Sequence, residues 1–176
     1  NYYYRYNEYY YRYGNDCANF VSQCLYNGGM KMTNSWHYKK LWVTIGNHSR
    51  IQLDVTPSWR LVKEQWKYFK AKTYCYKEIV LKRSVFYKTK TKPNRLGERK
   101  AIKKYNIKAG DLLYFDREDG KGVHHASMVS STSNNRIQYT GHTEARYNKT
   151  LDEYFLNDKY IGKTNKGKIH ILLMKR

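Results

Sequence analysis

Long apolar runs are missing from this 176-residue chain, so no stretch reads as a membrane-spanning helix, which needs about 20 such residues in a row. Acidic residues are scarce: 14 Asp and Glu stand against 34 Lys and Arg. Three cysteines are too few for a disulfide framework. Cys17 and Cys24 cannot bridge each other, because two helical turns hold them about 10 Å apart. A Cys24–Cys75 bridge stays open beside the reading of both as buried free thiols. No His-Glu-x-x-His run, RNA-recognition motif, zinc finger or helix-turn-helix pattern is present. There is no initiator Met and no signal peptide, as expected of a processed product or an excised domain.

What is there begins with charge. A formal +20 draws in polyanions over a Debye length of about 8 Å at physiological salt. Nucleic acid, anionic lipid and the teichoic acids of Gram-positive walls all qualify as partners. The cations are spread along the chain, which a Lys-, Tyr- and Asn-rich composition gives without any partner. Twenty tyrosines could stack bases, yet the nucleic-acid motifs are absent and no such partner is expected. The length fits one domain over residues 1–176, burying roughly 70% of the surface its unfolded chain exposes.

The most informative stretch is Asn15-Asp16-Cys17-Ala18-Asn19-Phe20-Val21-Ser22-Gln23-Cys24. Asn and Asp are strong helix N-cap residues, an apolar face follows at Phe20, Val21, Cys24 and Leu25, and Gly28-Gly29 end the run. This predicts a buried helix with Cys17 in its first turn. There the macrodipole and unpaired N–H groups favour thiolate, the nucleophilic form. A base is available downstream in Val123-His124-His125-Ala126-Ser127-Met128-Val129.

Before that helix, tyrosines at roughly helical spacing over Asn1–Tyr13 predict a short helix whose rings pack on the core. Arg5, Glu8 and Arg12 stay wet. Tyr13 is placed either to line the cleft or to pack. Met30–Val55 reads as a loop, and its Trp36, His37, Trp42 and His48 offer one wall of a substrate groove or simply surface aromatics. Thr56-Pro57 starts a second helix carrying Trp59, Val62, Trp66 and Phe69 or Tyr68. Ile79–Leu81 and Val85–Tyr87 read as short strands, and Lys88–Lys104 as an exposed basic loop. Leu112–Phe115, His125–Val129 and Arg136–Tyr139 follow as strands, Leu151–Leu156 as a helix and Lys168–Met174 as a closing strand. Helices first and a strand meander after give an α+β fold, the cysteine helix packed on an antiparallel sheet.

Asp16-Cys17-Ala18-Asn19-Phe20-Val21-Ser22-Gln23, then Gly28-Gly29, Ser58-Trp59, Gly110-Asp111, His125 and His142-Thr143, together resemble the bacterial putative amidase domain. That family is written around Asp-Cys-x-Asn-Phe-x-Ser-Gln and belongs with papain-like and NlpC-type wall hydrolases. The likeness runs from Tyr6 to about Thr143. It implies a papain-like fold, Cys17 as nucleophile, His125 as general base, and His142 as the polar group holding the imidazole. It departs from the family where an Asp usually precedes the histidine: His124 stands there. Strand alternation puts one of His124 and His125 on the cysteine side, and His125 better matches the His-small-small-apolar-Val pattern. Asn19 reads as a structural hydrogen-bonder. The Cys17 N–H with a neighbour in the Asp16 region would form the oxyanion hole. Zinc held by His124, His125, His142 and Asp116 is a separate reading, weakened because adjacent strand residues face opposite ways. No cofactor is expected.

The resemblance implies hydrolysis of an amide in peptidoglycan peptide, at or outside the cell wall, through a thioester on Cys17. An autolysin, an endolysin and an antibacterial toxin domain all fit. The alternative is a cationic wall- or nucleic-acid-binding module that keeps the fold without catalysis.

Overall fold

The computed structural model describes residues 7–71, 73–143 and 146–175. The cysteine helix is present as α1 (Cys17–Asn27), with Asp16 at its N-cap. Gly29, at φ +98°, turns the chain out of the helix; its N–H donates to the Tyr26 carbonyl, and the Met30 N–H donates to that of Leu25. α1 buries Cys17, Ala18, Asn19, Val21 and Ser22 and packs on β5 (Val123–Ser131).

The fold is α+β, as expected. Six antiparallel strands form one sheet in the order β3 (Cys75–Lys82), β8 (Lys168–Met174), β4 (Leu112–Asp116), β5, β6 (Gln138–Gly141), β7 (Arg146–Thr150). Period-two alternation divides its side chains between two cores. Ile169, Ile171 and Leu173 of β8 join Leu113 and Phe115 of β4 in one core. That core also holds Ala101 of α4 (Arg95–Tyr105), Phe155 of α5 (Leu151–Asn157) and Ile161 of α6 (Lys159–Thr164). Leu172, Met174, Leu112, Tyr114 and Ala126 join the other, with Cys17, Ala18 and Val21 of α1. Trp59 of α2 (Pro57–Arg60) and Phe69 of α3 (Val62–Lys70) complete it. Helices of four and nine residues are marginal alone. Burial of Trp59 and Phe69, worth roughly 2–3 kcal/mol each, is what holds them.

Several elements differ from the sequence reading. Met30–Val55 is no loop: β1 (Tyr38–Ile45) and β2 (His48–Val55) form a two-stranded hairpin. Its two-residue turn is Gly46-Asn47, with Gly46 at φ +61°, the geometry such turns require. The second helix breaks at Leu61, whose extended backbone separates α2 from α3. Half of the basic loop is α4, capped by Asn94, whose side chain accepts from the Gly97 N–H. Val85–Tyr87 forms no strand; a 3-10 turn over Arg83–Val85 leads into buried Phe86 and Tyr87. Residues 7–13 are not helical. Asn7 takes the Tyr9 N–H on its side chain, and the Tyr11 N–H donates to the Tyr38 hydroxyl, so local and tertiary bonds replace helical ones. The rest of the expected N-terminal helix, residues 1–6 with Arg5, lies outside the described residues.

Candidate active site

The polar residues of the cysteine motif first build a buried network. The Ser22 hydroxyl donates to the Trp59 carbonyl (2.8 Å) and accepts from Trp36 Nε1 (2.9 Å) and Gln65 Nε2 (2.8 Å). Gln65 Nε2 also donates to the Ala18 carbonyl, and Gln65 Oε1 accepts from the Tyr114 hydroxyl. Asn19 Oδ1 accepts from Trp59 Nε1, while its Nδ2 donates to the Tyr11 carbonyl and to Asp16 Oδ1. Asn19 is thus structural, and these bonds fix α1 against α2, α3 and the sheet.

Asp16 is the hinge between that network and the site. Its carboxylate accepts from the Tyr13 N–H and Asn19, and its second oxygen lies 3.1 Å from His142 Nδ1. The His142 ring stacks on Phe20 with centroids 4.0 Å apart. The Asp16 N–H donates to the Thr143 hydroxyl. The motif residues 16 and 20 therefore hold the segment that follows β6.

Cys17 opens α1 but is only 3% exposed. Burial pushes its thiol above the ordinary range and outweighs hydrogen bonds from the Ala126 backbone, the Thr143 side chain and the backbone of Ala18 and of Cys17 itself, which pull it down. The helix-start effect is real and desolvation exceeds it. That upward shift runs against the expected thiolate. All three cysteines are free.

His125 lies beside Ala126, yet its ring sits 5.3 Å from Phe115, and Nε2 lies 3.3 Å from the Ser127 hydroxyl. Phe115 belongs to the core opposite that of Cys17. A register shift falls between Phe115↔His125 and Asp116↔Val123, which interrupts the alternation at His124. The alternation argument therefore does not select between the two histidines. His124 is partly buried, which lowers its pKa, and Arg117 lowers it further. Tyr154 Oη lies 3.5 Å from its Nε2.

His142 does not sit against His125. Met128 pairs with Thr140, so the extended register sets His142 opposite Ala126, one residue away and on the other face. The His125 ring meets Ser127 and Phe115, the His142 ring meets Asp16 and Phe20, and the Cys17 thiol meets the Ala126 backbone and Thr143. Trp36 cannot wall a groove: it is fully buried between Trp59, Phe69 and Tyr68 with its indole N–H on Ser22. Tyr13 packs edge-on against Tyr11 with the Arg60 guanidinium over its ring.

A cleft of about 260 Å³ opens where these parts meet. Asn15, Thr143, His124 and His125 line it together with Arg117, Tyr154 and Asp158. Cys17 is buried beside it, joined to it through Thr143. Arg117 donates to Asp158 from Nε and an Nη, both at 2.9 Å. Among the described residues no three His, Cys, Asp or Glu side chains come together as a metal site, so the four-ligand zinc set is not assembled. Sequence reasoning missed Ser127, although a residue two positions from His125 in a strand shares its face. It also missed Arg117, Tyr154 and Asp158, which only the tertiary fold brings to the cleft.

The structure thus sets a cysteine-bearing helix on an antiparallel sheet, with two histidines lining the cleft beside it. The family model for the putative amidase domain matches residues 1–165, and the chain belongs to that family. Membership supports an amide hydrolase. No curated protein and no solved structure matches the chain.

Proposed function

We propose that the chain is a cysteine hydrolase that cuts an amide bond in bacterial peptidoglycan, as an N-acetylmuramoyl-L-alanine amidase or a peptide endopeptidase. One observation carries this reading: in a family of amidases, Cys17 begins α1 with its thiol against the backbone of Ala126, next in sequence to His125. Cys17 Sγ attacks the amide carbonyl while His125, whose ring rests against Phe115 and turns toward the cysteine side for this step, accepts the thiol proton. Burial raises the thiol's pKa, so the base is needed to take the proton as Sγ attacks. The imidazolium then protonates the departing amine, leaving a thioester on Cys17. Water, losing a proton to His125, hydrolyses the thioester to a carboxylic acid and the free thiol. The Cys17 N–H faces the developing oxyanion, while that of Asp16 is already engaged by Thr143. The +20 charge concentrates the enzyme on walls bearing anionic polymers, outside the cell.

The test is digestion of purified peptidoglycan with the wild type and with Cys17→Ser. New amino groups, with fragment masses that name the bond, are expected from the wild type alone. Equal inertness of both proteins, with equal retention on the wall, would sink the hydrolase. The second reading, a cationic binding module without catalysis, would then stand, and the burial of Cys17, which pushes its thiol up, is the observation that favours it.

A further inference from the structure

The β1–β2 hairpin serves no part of the site. Its strands pair with each other and belong to no other sheet among the described residues. At about 3.3 Å per residue, eight-residue strands reach roughly 26 Å. The base is anchored: Tyr38 is buried, and His37 pairs with Asp54 at 2.9 Å. The distal half is not. Trp42 is 75% exposed, Ile45 61%, Ile51 49% and Leu41 43%.

Register decides where these side chains lie. Trp42 pairs with Ile51 on one face, while Leu41 and Ile45 lie on the other, opposite Gln52 and His48. Apolar groups thus project from both faces of the same projection. A two-stranded hairpin is marginal in water, and exposed apolar groups on both sides give it no core of its own. Beyond the base its charge has one sign: Lys39 pairs with Asp54 at the base, while Lys40 and Arg50 are cations and no Asp or Glu occurs between Tyr38 and Leu53.

We propose that this hairpin is an interfacial anchor that inserts into an anionic lipid surface. Insertion uses both faces, whereas a polysaccharide strand would lie along one face and leave the other apolar side chains in water. Trp42 suits the headgroup boundary, where an amphipathic ring is favoured, and Ile45 and Ile51 would enter the acyl region. Lys40 and Arg50 complement anionic headgroups, with no carboxylate in the distal half to repel them.

The experiment is co-sedimentation with vesicles of phosphatidylglycerol and phosphatidylcholine, and of phosphatidylcholine alone. Wild type is compared with the Trp42→Ser, Ile51→Ser double variant; both positions are exposed, so folding is spared. Wild type should bind the anionic vesicles, with brominated acyl chains quenching its fluorescence. The double variant should bind about tenfold more weakly and lose that quenching. Equal binding of the two proteins would show charge alone at work and overturn the anchor. Absence of vesicle binding, or Trp42-dependent capture on purified glycan strands in its place, would overturn it too. The proposal is independent of the chemistry at Cys17, and Cys17→Ser protein serves equally well.

Discussion

The Asp16 carboxylate meets the His142 ring at 3.1 Å, closing a span of 126 positions in sequence. Asp16→Ala leaves the Tyr13 N–H, Asn19 Nδ2 and His142 without this acceptor. It should cost about 2–4 kcal/mol in urea unfolding, since several buried donors lose one partner. His142→Phe keeps a ring over Phe20 and should cost less. An unchanged midpoint for Asp16→Ala would show that the pair holds nothing.

Ser22 and Gln23 are adjacent in the motif but differ in role. Ser22→Ala removes the acceptor of Trp36 Nε1 and one acceptor of Gln65, all fully buried. About 2–3 kcal/mol of stability should go with it. Gln23 is half-buried, and Gln23→Ala should fall within about 0.5 kcal/mol of wild type. Urea midpoints of equal size for the two variants would contradict the network.

The buried thiols set an alkaline limit on stability. Burial pushes Cys24 up to about 11, whereas an unfolded thiol titrates near 8.5. Above that value the unfolded chain loses its proton while the folded chain keeps it, so stability falls as pH rises and levels off past the folded value. Cys17 and Cys75, also raised by burial, act in the same direction. The unfolding free energy of wild type should therefore decline between about pH 8.5 and 11. In Cys24→Ala the decline should be shallower, as denaturant titration at each pH would show. Parallel slopes would place the Cys24 titration outside the folded state.

How much of this was legible depended on whether a signal was local. The helix of Cys17 could be read because Asp16 and Gly29 bracket it, and β8 because its apolar residues alternate cleanly. The hairpin was missed because Leu41-Trp42-Val43 in its first strand breaks the alternation, although Ile51, Leu53 and Val55 alternate with polar residues in the second. Its turn signal is the single pair Gly46-Asn47. Trp36 was misplaced because sequence does not distinguish an aromatic under a loop from one in a cleft; only the Ser22 hydroxyl beneath it decides. The placement of His142 failed on register. One residue of offset between β5 and β6 exchanges faces, and no local pattern encodes that offset.

Activity should separate the two histidines. As the proposed base, His125 should lower kcat on wall peptide by about 10²–10⁴ when changed to Ala. His124 lines the same cleft, and burial lowers its pKa. His124→Gln should raise KM more than it lowers kcat. If His124→Gln instead abolishes turnover while His125→Ala retains it, the base is His124.

Gly141 tests whether Ser127 orients His125. A Cβ built at Gly141 would lie 2.5 Å from the Ser127 hydroxyl and 3.4 Å from its Cβ. That hydroxyl is 3.3 Å from His125 Nε2, on a fully buried residue. Gly141→Ala must therefore push the hydroxyl away, at a cost of about 1–3 kcal/mol, and turn the imidazole with it. Adding Ser127→Ala removes the colliding oxygen and leaves an ordinary contact. The double variant should recover most of the stability in urea unfolding, a non-additivity expected of touching residues. It should not recover kcat, because the hydroxyl that fixes the ring is gone. KM should stay near wild type throughout. Recovery of both stability and kcat would assign Ser127 to packing alone and leave His125 oriented by other contacts.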